Sequence, residues 1–160
     1  MKLAGALAQR SDIDHRIAQL KERVKASARY TEGEEPAEDA NELLTELTEL
    51  LALKESLIAR INRTNAATAI RLPGNSAVAT VTDAIAYRDR VHAQQNLLNE
   101  IADAATGSRD SYYGGRRRSE LPVKTDLPVK NLRRSADKLA QEYRETDQAI
   151  QSLNWDTDLI

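Results

Sequence analysis

Residues 129–153 read VKNLRRSADKLAQEYRETDQAIQSL and carry the most regular hydrophobic repeat in the chain. Their apolar and small side chains alternate steps of three and four residues throughout: Val129, Leu132, Ala136, Leu139, Tyr143, Thr146, Ile150 and Leu153. This spacing places all of these side chains along one side of an α-helix, which we call its seam. Other helices are needed to cover so long a seam, so the stretch predicts a helical bundle.

Three further helices are predicted from the same spacing. The four predicted helices cover residues 3–28, 39–64, 80–106 and 127–153. The second helix has two apolar rows side by side: Leu43, Leu47, Leu50, Leu57 and Ile61, then Leu44, Leu51 and Ile58. The fold class is therefore mainly α, with four long helices in an antiparallel bundle or in hairpins. The length of 160 residues indicates a single domain.

Local signals mark the starts of two helices and a short sheet. Asp39 with Glu42, and Thr80 with Asp83, have the spacing of a capping box, and Gly107 can end the third helix. Residues 68–79 contain two β-prone runs around Pro73-Gly74-Asn75 and predict a hairpin. Residues 119–125 are a second β-prone segment, suited to an edge strand. Together these segments predict a small sheet at one end of the bundle.

Both histidines raise the question of a metal site, because each follows an Asp by three residues. The pairs are Asp12 with His15 and Asp89 with His92. Inward-facing carboxylates and histidines at this spacing hold two metal ions in some helical bundles. Both pairs lie off or at the edge of the predicted seams, so we expect solvated side chains and no metal or other cofactor. The chain also lacks cysteine and has no phosphate-binding glycine loop, which argues against several enzyme classes.

Two polar segments are candidates for binding a small ligand. Asn62, Arg63 and Asn65 end the second helix with hydrogen-bonding side chains. They predict either a C-terminal cap or a polar pocket for a small anion. The tail carries the only Trp, Trp155, followed by Asp156. A lone tail Trp more often packs than binds, although a site shared with Asn62, Arg63 and Asn65 is an alternative.

Charge is distributed unevenly along the chain, whose net charge is −2. Residues 30–53 hold eight acids and no base, and residues 107–134 hold eight bases and three acids. Such segments can meet within one chain or between two copies. The loop 112–118, YYGGRRR, could bind single-stranded nucleic acid by stacking and phosphate contacts, but the net negative charge argues against broad affinity.

Three cations occupy predicted seam positions, namely Arg10, Lys54 and Arg88. Unpaired charges are costly inside a closed core, so these residues are easier to place at a subunit interface or a frayed bundle end. The leading prediction is therefore a self-associating structural or interaction protein that forms a homo-oligomer, rather than an enzyme. The alternative is a small-ligand-binding protein or enzyme with its site near residues 62–65.

Four blocks of the sequence resemble an uncharacterised bacterial family whose members are often called septicolysin-like. The blocks are MKLAGALAQRSD, EGEEPAED, LIARINRTNAAT and EYRETDQAIQSLNWDTDL. The resemblance implies a small, mostly helical bacterial protein with no established activity. The family label points to a pore-forming cytolysin, but no apolar run approaches the roughly 18 residues of a membrane-spanning helix. The predicted hairpin is also shorter than the roughly 9–11 residues of a membrane-crossing strand. We expect a cytoplasmic protein without a membrane partner.

Overall fold

The computed structural model describes residues 1–73, 78–107 and 124–160. It contains helices α1 (Leu3–Ser27), α2 (Ala40–Ala67), α3 (Val81–Thr106) and α4 (Val129–Asp156), and strands β1 (Ala69–Arg71) and β2 (Val78–Thr80). The predicted mainly α class is confirmed, and the two strands form a small antiparallel sheet. Most of the β-prone segment 119–125 lies outside the described residues, and Lys124 and Thr125 belong to no strand.

The chain divides into two compact units, of which the first joins the beginning and the end of the sequence. The first unit comprises Met1–Ala69 and Gln151–Ile160, and the second comprises Ile70–Ile150. The last residues of α4 therefore belong with α1 and α2, which the hydrophobic repeat of α4 did not indicate. The prediction of a single domain stays a prediction.

In the first unit, α1 and α2 run antiparallel and bury one apolar row from each helix. Side-chain ion pairs join Arg23 to Glu38 near the connecting loop, and Asp14 to Lys54 farther along both helices. Two clusters form the core between them: Leu3, Ala6, Ile13, Leu57, Ile61 and Leu159, then Leu20, Leu43 and Leu50. The buried residues of α2 recur at steps of three, four and seven, which is why one side of the helix can be covered by α1.

The C-terminal tail supplies the cap that the sequence of α1 lacks. Lys2 at the start of α1 makes no side-chain cap hydrogen bond. Instead, the Leu3 amide donates to the Thr157 carbonyl (2.9 Å), and the Leu159 amide donates to the Met1 carbonyl (2.8 Å). These bonds satisfy one of the amides that every helix start leaves free, and they fix the tail against α1.

The second unit holds the hairpin, α3 and the first part of α4. Ile70 and Leu72 are buried at the hairpin. The helices α3 and α4 run antiparallel, and polar side chains join them. The Tyr87 hydroxyl donates to the Glu142 carboxylate, and Arg133 pairs with Asp103 at 2.8 Å. The buried residues of the two helices are mostly small or β-branched: Val81, Ala84, Val91, Ala102, Ala136, Thr146 and Ile150.

The capping predictions differ in outcome between the two helix starts. The capping box of Thr80 and Asp83 is confirmed, with both reciprocal hydrogen bonds present. The hydrogen bonds from the Thr80 side chain and backbone hold the pKa of the Asp83 carboxyl below its ordinary value of 3.8. At α2, Asp39 accepts from the amides of Asn41 and Glu42, which is an N-cap without the reciprocal Glu42 bond.

The three seam cations are accommodated without a second subunit. Arg10 is exposed. Lys54 pairs with Asp14, and Arg88 pairs with both Asp147 (3.0 Å) and Asp89 (2.9 Å). Partial burial opposes the charge on Arg88, but the hydrogen bonds and charges of the two carboxylates prevail and raise its pKa. Charge burial therefore gives no reason to expect an oligomer.

Candidate functional site

The predicted polar site at the end of α2 is largely open to solvent. Asn62 and Arg63 are exposed, and Asn65 is half-buried. Within the part of the chain that the structure describes, none of these three side chains makes a hydrogen bond or ion pair. Two nearby threonines do: the hydroxyl of Thr64 in α2 donates to the Arg60 carbonyl, and the hydroxyl of Thr68, the residue after α2, donates to the Thr64 carbonyl. The end of α2 is therefore capped by Thr68, whose backbone amide and hydroxyl both donate to the Thr64 carbonyl, and not by Asn62, Arg63 or Asn65.

Trp155 and Asp156 lie in the last turn of α4. The Trp155 side chain does not serve as a packing anchor, because the residue is 71% exposed. The Asp156 residue is also exposed, and its backbone carbonyl accepts a hydrogen bond from the Lys2 ammonium group (2.9 Å). No direct bond joins either side chain to Asn62, Arg63 or Asn65 among the described residues. The structure thus places all five residues in the first unit, and the binding site that they could form stays a prediction.

Thr64 lies in the same polar segment, but its burial and its bond to the tail were not predicted from the sequence. It is fully buried, and its hydroxyl donates to the Arg60 carbonyl (2.9 Å) while accepting from the Ile160 amide (3.0 Å). The Arg60 guanidinium donates to the Ile160 carbonyl at 3.0 Å. These bonds fasten the tail to α2. The sequence could have indicated the burial of Thr64, because it follows Leu57 and Ile61 at steps of four and three residues on the same side of α2.

Both Asp–His pairs are exposed, as their positions off the seams predict. Asp12, His15, Asp89 and His92 all lie at the surface. The His92 ring lies 4.9 Å from the Tyr143 ring, and its Nε2 atom lies 3.2 Å from the Asn96 amide nitrogen. In residues 1–73, 78–107 and 124–160, no group of three or more His, Asp or Glu side chains is placed to hold a metal ion.

The second apolar row of α2 is the most distinctive surface feature of the first unit. Leu44 and Leu51 are each 50% exposed, although Leu43 and Leu50, one residue earlier, are buried. Ile58 continues the row and is half-buried. The helix therefore covers one apolar row with α1 and leaves the other in contact with water.

We call five residues on this side of α2 the outer stripe: Leu44, Thr48, Leu51, Glu55 and Ile58. They are spaced by four, three, four and three residues, so they lie along one side of the helix over about 21 Å at 1.5 Å per residue. Glu55 is the single charged residue among them. The stripe combines a coiled-coil spacing with half-exposed leucines, which is the pattern of a helix surface that packs against another helix.

Comparison with known protein families places the chain in one of them. A family model described as a family of unknown function (DUF6847) matches residues 10–159. The chain belongs to the DUF6847 family. A solved structure from Corynebacterium diphtheriae, described as a functionally unknown conserved protein, is 38% identical to this DUF6847 protein. The match covers 100% of this chain and 99% of that chain, with a TM-score of 0.86. A search of curated proteins gives no significant match.

These matches bear on the predicted family resemblance. Membership of a family of unknown function agrees with the coarser part of the predicted resemblance, but neither match carries the septicolysin-like label. No helix of this DUF6847 protein, in the ranges that the structure describes, is long and apolar enough to cross a bilayer. The loop 112–118, the less favoured candidate for nucleic-acid binding, lies outside those ranges.

Proposed function

We propose that this protein is a self-associating structural or interaction protein, and that the outer stripe of α2 is the surface through which its copies meet. The observation that carries the proposal is the exposure of Leu44 and Leu51 at 50% each, on the same side of α2 and about two helical turns apart. Removing apolar surface from water contributes about 25 cal/mol per Å². A contact that covers these leucines and Ile58 would remove their apolar surface from water and so stabilise the assembly of two copies.

The rest of α2 supports the choice of this surface. Its first apolar row is already covered by α1, through Leu43, Leu50 and Leu57. Lys54 lies beside the stripe and has its carboxylate partner, Asp14, in the same chain. The outer stripe is thus the part of α2 whose apolar side chains gain most from a further helix.

A matched pair of glutamate substitutions tests the proposal. Leu51→Glu places a charge in the stripe, and Leu53→Glu places the same charge at a leucine of similar exposure, 47%, on the opposite side of α2. We expect Leu51→Glu to convert the oligomer to monomer in size-exclusion chromatography with light scattering, because a buried unpaired charge is costly. Leu53→Glu should keep the oligomer. Equal effects of the two substitutions, or a monomeric unmodified protein, would reject the proposal.

A second candidate function is the binding of a small anion at the end of α2. The observation in its favour is the exposed Arg63 guanidinium, which has no partner among the described residues, with Asn62 and Asn65 beside it in sequence. A free guanidinium and two amides provide donors that suit a phosphate or carboxylate. Trp155 and Asp156 would contribute only if the anion also reached the tail.

Alanine substitutions separate this candidate from a purely structural role. Arg63→Ala and Asn65→Ala should abolish binding of inorganic phosphate, measured by calorimetry, while leaving the thermal midpoint nearly unchanged. Asn41→Ala, at an exposed amide near the other end of α2, is the control. A large loss of stability, or phosphate binding that persists in both variants, would exclude the site.

A further inference from the structure

We infer that the partner of the outer stripe is the same stripe of a second copy, running antiparallel about a two-fold axis near Leu51. This inference rests on the proposed function. A two-fold axis at this position brings Leu44 of one copy to Ile58 of the other, and the two Leu51 side chains to each other. Every large apolar residue of the stripe then has an apolar partner, which is the self-complementarity that a two-fold interface requires.

The single charge of the stripe distinguishes antiparallel from parallel pairing. In a parallel pair, Glu55 of one copy lies beside Glu55 of the other, and like charges repel. In the antiparallel pair, Glu55 lies within about one residue, or 1.5 Å along the helix, of Thr48 in the other copy. The Thr48 hydroxyl, which now donates to the Leu44 carbonyl at 2.9 Å, can rotate to donate to that carboxylate.

The other charges of α2 do not decide the direction of pairing. With about 3.6 residues per turn, most of them lie on the side of α2 that Leu53 occupies, away from the stripe, namely Glu42, Glu46, Glu49 and Arg60. Glu46 and Lys54 are also paired with Arg16 and Asp14 of the same chain. The direction therefore follows from Glu55 and from the helix dipoles, which favour antiparallel pairing.

Cysteine cross-linking in the full-length chain tests the direction of pairing, since the natural sequence has no cysteine. Leu44→Cys and Ile58→Cys are prepared separately, checked by circular dichroism, oxidised alone and oxidised as a mixture. We expect the mixture to form several times more disulfide-linked dimer than either variant alone. Thr48→Cys with Glu55→Cys is a second pair at exposed positions, where folding is not at risk, and it should give the same result.

Two other outcomes overturn the inference in different ways. Efficient cross-linking of Leu44→Cys with itself would show parallel pairing, which contradicts the inference and leaves the proposed self-association intact. A monomeric unmodified protein, together with no cross-linking above that of an exposed control such as Leu53→Cys, would reject both. The mass of the unmodified protein by light scattering, recorded beside the cross-linking, tells these two failures apart.

Discussion

Replacing Thr64 with valine should release the C-terminal tail from α2 while leaving the helix itself nearly unchanged. Valine has almost the shape of threonine, so it fills the same buried site. It has no oxygen to accept the hydrogen bond that the Ile160 amide donates to Thr64. The second bond of the hydroxyl, to the Arg60 carbonyl, is also lost. The Arg60 carbonyl lies within α2 and can keep its main-chain hydrogen bond, so the main effect is the loss of the tail contact.

The size of the effect follows from the exposure of the groups involved. A hydrogen bond contributes about 0.5–1.5 kcal/mol net, and a buried group left without a partner costs about 1–3 kcal/mol. Ile160 is 61% exposed, so water can replace part of the lost acceptor. We therefore expect a loss of about 1 kcal/mol, which lowers the thermal midpoint of a chain of this length by roughly 2–4 °C.

Thr45→Val provides the matched control for this change. The Thr45 hydroxyl also donates to a carbonyl four residues earlier, that of Asn41 (2.9 Å), but Thr45 is exposed and far in sequence from any tail contact. Calorimetry at one fixed protein concentration should show a loss for Thr64→Val and a change within about 0.5 kcal/mol for Thr45→Val. Hydrogen exchange should show faster exchange of the Ile160 amide only in Thr64→Val. Identical behaviour of the two variants, or an unprotected Ile160 amide in the unmodified protein, would refute the reasoning.

Three further outcomes are expected. Leu57→Ala, at a buried core position, should lower the free energy of unfolding by about 2–5 kcal/mol in a urea titration, whereas an equal loss from the exposed Leu53→Ala would contradict the packing. The ionised Asp83 carboxylate stabilises the cap above its ordinary pKa of 3.8, and this stabilisation is lost as the pH falls below that value. Asp83→Asn should therefore reduce the change in the free energy of unfolding at acid pH. An unchanged pH dependence of that free energy would contradict this role. Dye-loaded liposomes should retain their contents, and release at low protein concentration would favour the cytolysin implied by the septicolysin-like label.

Periodic features of the sequence predicted most of the helical core. Leu43, Leu50 and Leu57 were assigned to one seam, and all three are buried against α1. The reason is physical: a helix of 3.6 residues per turn converts a seven-residue spacing into one face, whatever the rest of the fold. The Thr80–Asp83 capping box was predictable for a similar reason, because its bonds join residues only three apart.

Contacts between distant residues could not be predicted in the same way. The Thr64–Ile160 bond joins residues 96 apart, and the Lys2–Asp158 ion pair joins residues 156 apart. No pattern of nearby residues in the sequence predicts either contact. The same limit applies to the cations at the predicted seam positions. Lys54 pairs with Asp14, and this partner could be identified only once α1 and α2 were placed side by side.

The distinction between the two apolar rows of α2 also required the structure. The sequence places Leu44 and Leu51 next to Leu43 and Leu50, which indicates a wide apolar face suited to a bundle. It does not say which row is covered by the chain itself. The half-exposed row is therefore a finding of the structure, and the proposed surface depends on it.

The mass of the unmodified protein over a dilution series tests self-association most directly. Sedimentation equilibrium should give about twice the chain mass of 17.8 kDa at high concentration, decreasing toward the chain mass on dilution. The Leu51→Glu variant should remain at the chain mass throughout. A mass of 17.8 kDa for the unmodified protein at every concentration would contradict the proposal that copies of this chain meet through the outer stripe of α2.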